Sequence, residues 1–254
     1  MRIRYLCTDA NLFPFIPRGV PALVFTLNAQ DEHSFTIDSP SSSNYHHPDV
    51  YFFGQTSFVS WVRTTGYWDM IMAVLKPNGL YYVLRESVSQ LANQFVPLSH
   101  WYPKSLLLTE QLAEQKEFSH QLYLIEQFLL KLVNRNSSPQ SVVEGALSQI
   151  LGSSGGIEIE KIARQERVSA RTLHRKFADQ VGLSPKAFTK IIRFRSLMQY
   201  VLSNPQTSWI DLTYRFNYYE QAHLIKDFYH FTGNAPMQYL SNNQELDNQL
   251  LIKL

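Results

Sequence analysis

Arg171, His174 and Arg175 are the residues of this chain whose types and spacing could most directly do chemistry. On an α-helix, positions i, i+3 and i+4 share one face, so the three side chains would project together. A guanidinium fork can bond O6 and N7 of a guanine at once, a contact worth about 1–3 kcal/mol of discrimination. Lys176 flanks this face and suits a phosphate. These residues indicate base reading on DNA, with ordinary surface charge as the alternative.

A helix-turn-helix unit spanning residues 157–181 would position this face. Its turn is expected at residues 166–168, and the hydroxyl of Ser169 can cap the following helix by accepting a bond from an otherwise unpaired amide. Apolar residues at helical spacing define the expected buried stripes of its two helices, namely Ile159, Ile162 and Ala163, then Ala170, Leu173 and Phe177. The basic residues Arg171, His174 and Arg175 would then lie on the outward face of the second helix.

The second helix of this unit recurs later in the chain. Four residues reappear at an offset of 51, namely Leu173, Phe177, Gly182 and Pro185 as Leu224, Phe228, Gly233 and Pro236. The pattern predicts a second helix-turn-helix unit over residues 208–233. Its outward face would carry Gln221, Ala222, Ile225 and Lys226, and a glutamine can bond adenine through two hydrogen bonds. This face is less cationic than the first, so we expect it to discriminate less between sequences.

A long helix is expected between the two units. Gly182 suits a left-handed helix end and Pro185 the first position of a new helix, which would run to Ser203. Nineteen residues at 1.5 Å each give ~28 Å, close to the ~34 Å between successive major grooves on one face of DNA. This connector carries Arg193 and Arg195, which would contact phosphate or brace the two units by ion pairs.

Charge is distributed unevenly along the 254 residues. Residues 1–150 hold ten Lys and Arg against twelve Asp and Glu, whereas residues 151–254 hold thirteen against nine. Ten basic residues and two acidic ones fall between Lys161 and Arg195. Such a cationic stretch is the electrostatic footprint of phosphate contact, or else a solvated basic face.

The first 135 residues are expected to form a domain of their own, with strands followed by helices. Stretches rich in β-branched and aromatic residues, separated by turn-type clusters, predict strands at residues 22–27, 51–53, 58–63 and 70–75. Leucines at helical spacing predict helices within residues 79–93 and 105–134. The predicted fold class is α+β, with a small β-barrel or sandwich and a helical subdomain before an all-α domain of two helix-turn-helix units joined by a long helix.

A linker is expected at residues 134–138, where polar residues cluster. Ser138 followed by a proline resembles an N-cap and first helical position, so the next helix would cover residues 139–151. We place the double helix-turn-helix domain at residues 138–240 and a C-terminal tail at residues 241–254.

The last helix of the N-terminal region carries a heptad-like seam. Its apolar residues alternate spacings of four and three over about two heptads, namely Phe118, Leu122, Ile125, Leu129 and Leu132. Residues 118–132 would hold a homodimer together, or else pack on their own domain.

No feature favours an enzyme, a cofactor or a metal centre. The chain lacks a phosphate-cradling glycine loop and a Gly-x-Ser-x-Gly elbow. His46, His47 and Asp49 lie together without a ligand set of recognised spacing, so we expect no metal site. The single cysteine, Cys7, excludes an intramolecular disulfide, and we expect a buried thiol in a strand rather than a nucleophile.

The chain shows neither the apolar core of a signal peptide nor the ~18-residue apolar run of a membrane span. We therefore expect a cytoplasmic protein with no membrane partner. Four residues of the N-terminal region would line an effector pocket, with the arginine holding an anion, or else belong to a barrel core: Phe52, Trp61, Arg63 and Trp68.

Residues 138–240 resemble the AraC/XylS family of bacterial transcription regulators. The first family motif is matched by Ser169-x-Arg171-x-Leu173-x-Arg175-x-Phe177 and Gly182-x-Ser184-Pro185. The second is matched by residues 218–228 and by Phe231-Thr232-Gly233-x-x-Pro236-x-x-Tyr239. The resemblance implies that outward residues of each unit read DNA, namely Arg171, His174 and Arg175, and then Gln221, Ala222, Ile225 and Lys226.

Three residues depart from the family pattern. Thr213 stands where the family usually has Ala, Asn217 where it has Gly, and Lys226 where it has Arg. We expect the first two to loosen the second unit, and the third to weaken any bidentate contact with a base.

The N-terminal region resembles, more weakly, the regulatory part found in one branch of the family. Pro17-x-Gly19 and Lys76-Pro77-x-Gly79-Leu80-Tyr81 carry this likeness. This likeness implies that residues 1–135 form a regulatory domain that binds an effector, mediates dimerisation, or both. The family resemblance implies double-stranded DNA, a small-molecule effector and RNA polymerase as candidate partners.

We therefore expect a sequence-specific DNA-binding transcription regulator that is modulated by its N-terminal domain. The alternative is a ligand- or partner-binding regulatory protein whose paired units bind DNA with little specificity. An enzyme with a DNA-targeting domain is a third hypothesis, for which no substrate can be named.

Overall fold

The computed structural model describes residues 2–27, 35–38, 44–45, 50–133 and 141–241, and gives side-chain positions for 14–27, 50–61, 69–133 and 141–241. The strands are β1 (Arg2–Phe15), β2 (Ala22–Thr26), β3 (Phe35–Asp38), β4 (Asn44–Tyr45), β5 (Val50–Phe53), β6 (Ser60–Val74) and β7 (Phe95–Pro97). The helices are α1 (Gly79–Leu84), α2 (Ser105–Glu114), α3 (Phe118–Leu132), α4 (Val142–Gly152), α5 (Ile159–Gln165), α6 (Ala170–Val181), α7 (Pro185–Ser203), α8 (Trp209–Arg215), α9 (Gln221–Thr232) and α10 (Pro236–Ser241).

The seven strands form one antiparallel sheet in the order β4-β3-β6-β2-β5-β7, with β1 also paired to β6. Strand β6 is long because β1 pairs with it from Arg2 opposite Ile71 to Phe15 opposite Ser60, while β3 and β2 pair with its other edge. The predicted break between strands at residues 58–63 and 70–75 is therefore wrong. Pairing with β1, which is distant in sequence, carries the chain through residues 64–69.

Where side chains are described, strands β2 and β5 are buried on both faces of the sheet. Leu23 and Phe25 point into a core shared with α1, α2 and α3, whereas Ala22 and Val24 point into an aromatic layer on the opposite face. Successive residues of a strand alternate between its faces, so each face receives every second side chain. Two buried faces agree with the predicted barrel or sandwich, and the fold is of the predicted α+β class.

The helical part of the N-terminal region is shorter than the sequence predicts. Helix α1 ends at Leu84, and Arg85 adopts a left-handed φ of 61° where the prediction continued the helix to residue 93. Residues 85–94 lead instead to β7, a strand that the sequence does not indicate. The second predicted helix is divided into α2 and α3.

Helix α3 packs on its own domain through part of the heptad-like seam. Ile125 and Leu132 are buried in the core beneath the sheet, and Leu129 packs against that core. Phe118 and Leu122 are 38 % and 41 % exposed. This division favours the alternative of a helix packed on its own domain, and the homodimer stays a prediction.

Helix α4 begins later than predicted. Its N-cap is Ser141, whose Oγ accepts a hydrogen bond from the backbone N–H of Glu144 at 3.2 Å. The predicted cap, Ser138, lies outside the described residues. The prediction of a helix starting at residue 139 is wrong because Ser141 and Glu144 supply the Ser-x-x-Glu spacing of a capping box.

Replacing Ser141 with alanine should lower the free energy of unfolding by about 1 kcal/mol, because the first turn of α4 would lose its cap. Urea unfolding of the full chain measures this. Ser148→Ala is the matched control at an exposed serine inside the same helix, and its effect should stay within about 0.5 kcal/mol. Equal losses in the two variants would contradict the capping role.

Helix α7 joins the two C-terminal units into one body. Phe188 and Ile192 pack in a core with α4, α5 and α6, while Phe194 and Leu197 pack in a second core with α8 and α9. Ile16 of the N-terminal region is also fully buried in that second core. The N-terminal region is thus packed directly on the helices. No helix in the described ranges is both long and apolar enough to cross a membrane.

Candidate DNA interface

Helix α6 presents the predicted basic face to solvent. Ser169 caps the helix by accepting a hydrogen bond from the N–H of Thr172 at 3.1 Å. Leu173, Phe177 and Val181 are buried in the first core. With those positions turned inward, the exposed side chains include Arg171, His174 and Arg175. Lys176, beside this face, is half-buried.

Ala170 is exposed, although its helical register predicted burial. It is the first residue of α6, at the end of the buried stripe that Leu173 and Phe177 continue. The prediction was wrong because periodicity gives the direction of a side chain but not whether a neighbour covers it.

Helix α9 repeats this arrangement in the second unit. Leu224, Phe228 and Phe231 are buried, and Phe228 packs edge-on against Phe194 of α7 with ring centroids 5.4 Å apart. The opposite face is exposed at every position that the sequence analysis selects, namely Gln221, Ala222, Ile225 and Lys226.

The turn of the second unit is one residue longer than that of the first. Four residues separate α5 from α6, and five separate α8 from α9. Glu220 stands at the N-cap of α9 and makes no side-chain cap bond, unlike Ser169 at α6. The start of α9 is therefore less firmly held than that of α6.

The structure accommodates two of the departures from the family pattern. Asn217 adopts a left-handed φ of 53°, a conformation that asparagine tolerates better than most residues, and Arg167 in the first turn has a φ of 55°. Thr213 is buried and its Oγ1 donates to the carbonyl of Trp209 at 2.7 Å. Both side chains thus fit the second unit.

A buried carboxylate that the sequence analysis missed fixes α9 to α7. The Oδ1 of Asp227 lies 3.4 Å from the Nζ of Lys190, and its Oδ2 lies 3.8 Å from the Nε2 of His223. Burial raises the pKa of the neighbouring Tyr218 phenol, and Asp227 adds to that shift. The signal was available, since Asp227 is an acidic residue on the same helical face as Leu224 and Phe231.

Arg193 links the two units at the connector. Its Nη1 donates to the carbonyl of Asn217 and its Nη2 to the carbonyl of Gly155, both at 3.3 Å. The guanidinium also lies over the ring of Tyr218 at 5.5 Å. Arg193 therefore holds the two units together, which is one of the two roles expected for it. It does so through carbonyl groups rather than ion pairs.

Arg195 points to the N-terminal region. Its Nη1 donates to the carbonyl of Arg18 at 3.1 Å, and burial lowers the pKa of its guanidinium. In this arrangement the side chain is engaged inside the protein rather than turned to solvent as a phosphate contact would be.

Of the residues considered for an effector pocket, the two whose side chains are described, Phe52 and Trp61, lie in different places. Phe52 is fully buried beneath the sheet, where its ring meets that of Trp101 edge-on with centroids 5.2 Å apart. Trp61 lies instead at the contact with Gly233, at the end of α9. The side chains of Arg63 and Trp68 lie outside the described set, as do His46, His47 and Asp49.

An open cleft of about 590 Å³ separates the two units on one side of α7. Its lining mixes polar and apolar surface, and its polar residues include Ser154, Gln199 and Asn217. Arg215 lies over the ring of Tyr200 in this cleft, 4.1 Å from its centroid. Beside this cleft, Arg193 joins the two units through the carbonyls of Gly155 and Asn217.

Comparison with known proteins agrees with this architecture. A family model described as a helix-turn-helix domain, of the AraC type, matches residues 162–242. ToxT from Vibrio cholerae has a similar structure, with a TM-score of 0.51 and 11 % identity over 95 % of this chain and 97 % of ToxT. No curated protein matches the sequence significantly.

Two further ToxT structures are similar. One, bound to (E)-4-(8-methylnaphthalen-1-yl)but-3-enoic acid, has a TM-score of 0.52 and 11 % identity over 94 % of this chain and 97 % of ToxT. The other, bound to an unsaturated fatty acid, has a TM-score of 0.51 and 13 % identity over 94 % of each chain. The likeness covers nearly the whole chain. At such low identity it shows a similar fold and nothing more.

The matched domain, which covers α6 and α9, agrees with the paired motifs at residues 169–185 and 218–239. With them it identifies residues 162–242 as a helix-turn-helix domain of the AraC type, the DNA-binding domain of transcription regulators.

Proposed function

We propose that this regulator binds a specific DNA sequence by inserting α6 and α9 into two successive major grooves. The observation that supports this most strongly is that both helices expose the residues selected for base contact while burying the opposite face. The major groove of DNA admits an α-helix and presents a distinct pattern of donors and acceptors for each base pair.

The first box of the operator should contain guanine. Arg171 and Arg175 are exposed one turn apart on α6, and each can bond O6 and N7 of a guanine. His174, between them, is exposed on the same face. We assign Lys176 to a phosphate beside this groove, and we assign Arg193 and Arg195 to holding the protein together.

The second box should be rich in A·T pairs. Gln221 can bond N6 and N7 of adenine, while Ala222 and Ile225 offer apolar surface to the methyl group of thymine. Lys226 adds one charged donor without the planar fork of arginine. The proposed operator is therefore asymmetric, with tighter base discrimination under α6 than under α9.

Selection of bound sites from a random DNA pool tests this function. The expected result is two conserved boxes whose centres lie about ten base pairs apart, one with guanine and one rich in A·T. Equal affinity for the random and selected pools would overturn the proposal. It would favour a ligand- or partner-binding regulator with weakly specific DNA binding.

Replacing Lys176 with alanine should weaken binding to all DNA sequences alike. Losing one phosphate contact should reduce the slope of log K against log salt by about 0.9. Filter binding or fluorescence anisotropy at several salt concentrations measures this. Lys104→Ala, an exposed lysine of the N-terminal region, is the control and should leave the slope unchanged. A loss confined to certain sequences would contradict the phosphate role.

A further inference from the structure

The N-terminal region holds the last turn of α6. The backbone N–H of Val88 donates to the carbonyl of Asp179 at 2.8 Å, and Ser87 Oγ donates to the carboxylate of Asp179 at 3.1 Å. The carbonyl oxygen of Val88 also lies so close to Gly182 that a Cβ there would come within 3.1 Å of it. Residues 87 and 88 thus contact α6 beyond its reading face.

A second segment of the N-terminal region holds the last turn of α9 in the same way. The backbone N–H of Val59 donates to the carbonyl of His230 at 3.4 Å, and the His230 Nε2 lies 2.9 Å from the carbonyl of Ser57. A Cβ on Gly233 would come within 2.9 Å of the ring of Trp61.

The two contacts are made at equivalent points of the repeat. Asp179 and His230 are 51 residues apart, as are Gly182 and Gly233. In each unit a backbone N–H of the N-terminal region bonds the carbonyl three residues before the left-handed glycine that ends the reading helix. The N-terminal region therefore bonds α6 and α9 at equivalent positions in their last turns.

The two gripping segments are tied to each other. The Oδ1 of Asn93 accepts a hydrogen bond from the N–H of Ser57 at 2.8 Å, and the N–H of Asn93 donates to the carbonyl of Gln55 at 2.8 Å. The N–H of Gly54 donates to the carbonyl of Gln94 at 3.0 Å. We call residues 54–61 and 87–94 together the brace.

The brace leaves the reading faces uncovered. Its contacts lie at the C-terminal ends of α6 and α9, whereas Arg171 and Arg175, and likewise Gln221 and Lys226, are exposed on the N-terminal halves. It therefore does not block the face that would meet DNA. Through its hydrogen bonds to α6 and α9, the brace connects the two units a second time, besides helix α7.

We propose that the brace sets the spacing and relative angle of α6 and α9, and that Ser87, Asn93 and His230 are positioning residues for DNA recognition. This inference rests on the proposed function. With the brace intact, one separation of the two operator boxes fits the protein best. Without it, the units would sample several arrangements around α7, and the fraction competent for a given operator would fall.

The test uses the full chain and the selected operator, with the two boxes moved together or apart by one and two base pairs. The variants are Asn93→Gly, which keeps access to the left-handed φ of 58° while removing the link to Ser57, and Ser87→Ala combined with His230→Ala. His120→Ala and Ser148→Ala, at exposed residues of matching type, are controls.

We expect the wild type and the controls to favour one spacing by about tenfold over a shift of one base pair. A brace variant that populates the competent arrangement about a tenth of the time should bind the best spacing about tenfold more weakly and show a flattened preference. A purely structural role would lower binding at every spacing by one common factor, and that result would overturn the inference.

Two other outcomes would also overturn it. An unchanged spacing preference in both variants would mean that α7 alone sets the geometry, and tighter binding at every spacing would make these contacts inhibitory. A wild type that binds its operator with no spacing preference would refute the brace but not specific binding. A wild type that binds all sequences equally would refute the proposed function itself.

Discussion

Arg175→Ala is expected to weaken binding to the selected operator by about 1–3 kcal/mol, or about 5- to 150-fold, and to relax the base preference under α6. The side chain is exposed on the face of α6 opposite Leu173 and Phe177, so its removal leaves the core intact. Competition binding with operators substituted at each position of the first box measures both effects.

Arg175→Lys is the matched control, because lysine keeps the charge but lacks the planar fork. It should retain much of the affinity for nonspecific DNA and lose most of the preference for guanine. If Arg175→Ala bound every operator with unchanged selectivity, α6 would not read that base.

Phe228→Ala should lower the free energy of unfolding by about 3–5 kcal/mol, because it empties a large volume in the second core. The ring is fully buried, and it meets Phe194, Trp209 and Tyr239 edge-on. Since these contacts hold α9 against α7, α8 and α10, binding to the second box should fail as well. Urea unfolding and binding to separate boxes measure the two effects.

Tyr229→Ala is the matched control, one residue along α9 with its side chain 61 % exposed. It should change the free energy of unfolding by less than about 0.5 kcal/mol, as is usual for surface substitutions. Similar losses in the two variants would contradict the packing described for the second unit.

The C-terminal helices could be predicted from the sequence because their signals are local. Ser184, Pro185 and Asn204 mark the ends of α7, which covers the predicted residues, and leucines and phenylalanines at helical spacing give its buried face. The exposed faces of α6 and α9 follow from the same periodicity.

The sheet could be predicted only in part, because strand pairing joins distant residues. Gly66 suggests a turn when it is read locally, yet it pairs with Cys7 in the middle of β6. Strands β3 and β7 are short, and each is fixed by its neighbour in the sheet rather than by a pattern of its own. The residues next to β3 and β7 in the sequence do not indicate that these strands pair with β6 and β5.

The brace could not be predicted because it works largely through backbone groups. Its hydrogen bonds to the two helices run from the N–H groups of Val59 and Val88 to the carbonyls of His230 and Asp179. Every residue except proline has these backbone groups, so the side-chain pattern cannot indicate which of them will pair. Ser57 and Asn93 are polar residues in loops, which is unremarkable in a sequence. Arg195 was recognised as a basic residue of α7, but its partner, the carbonyl of Arg18, lies far away in the chain.

The central claim is that two reading helices of one chain engage the same side of one DNA duplex at the same time. Binding of the full chain to its selected operator, with and without five base pairs inserted between the boxes, tests this most directly. Half a helical turn puts the second box on the opposite side of the duplex. The affinity should then fall by about 10²- to 10⁴-fold, to that of a single box, because simultaneous engagement is lost. Equal affinity for the two duplexes would contradict the account.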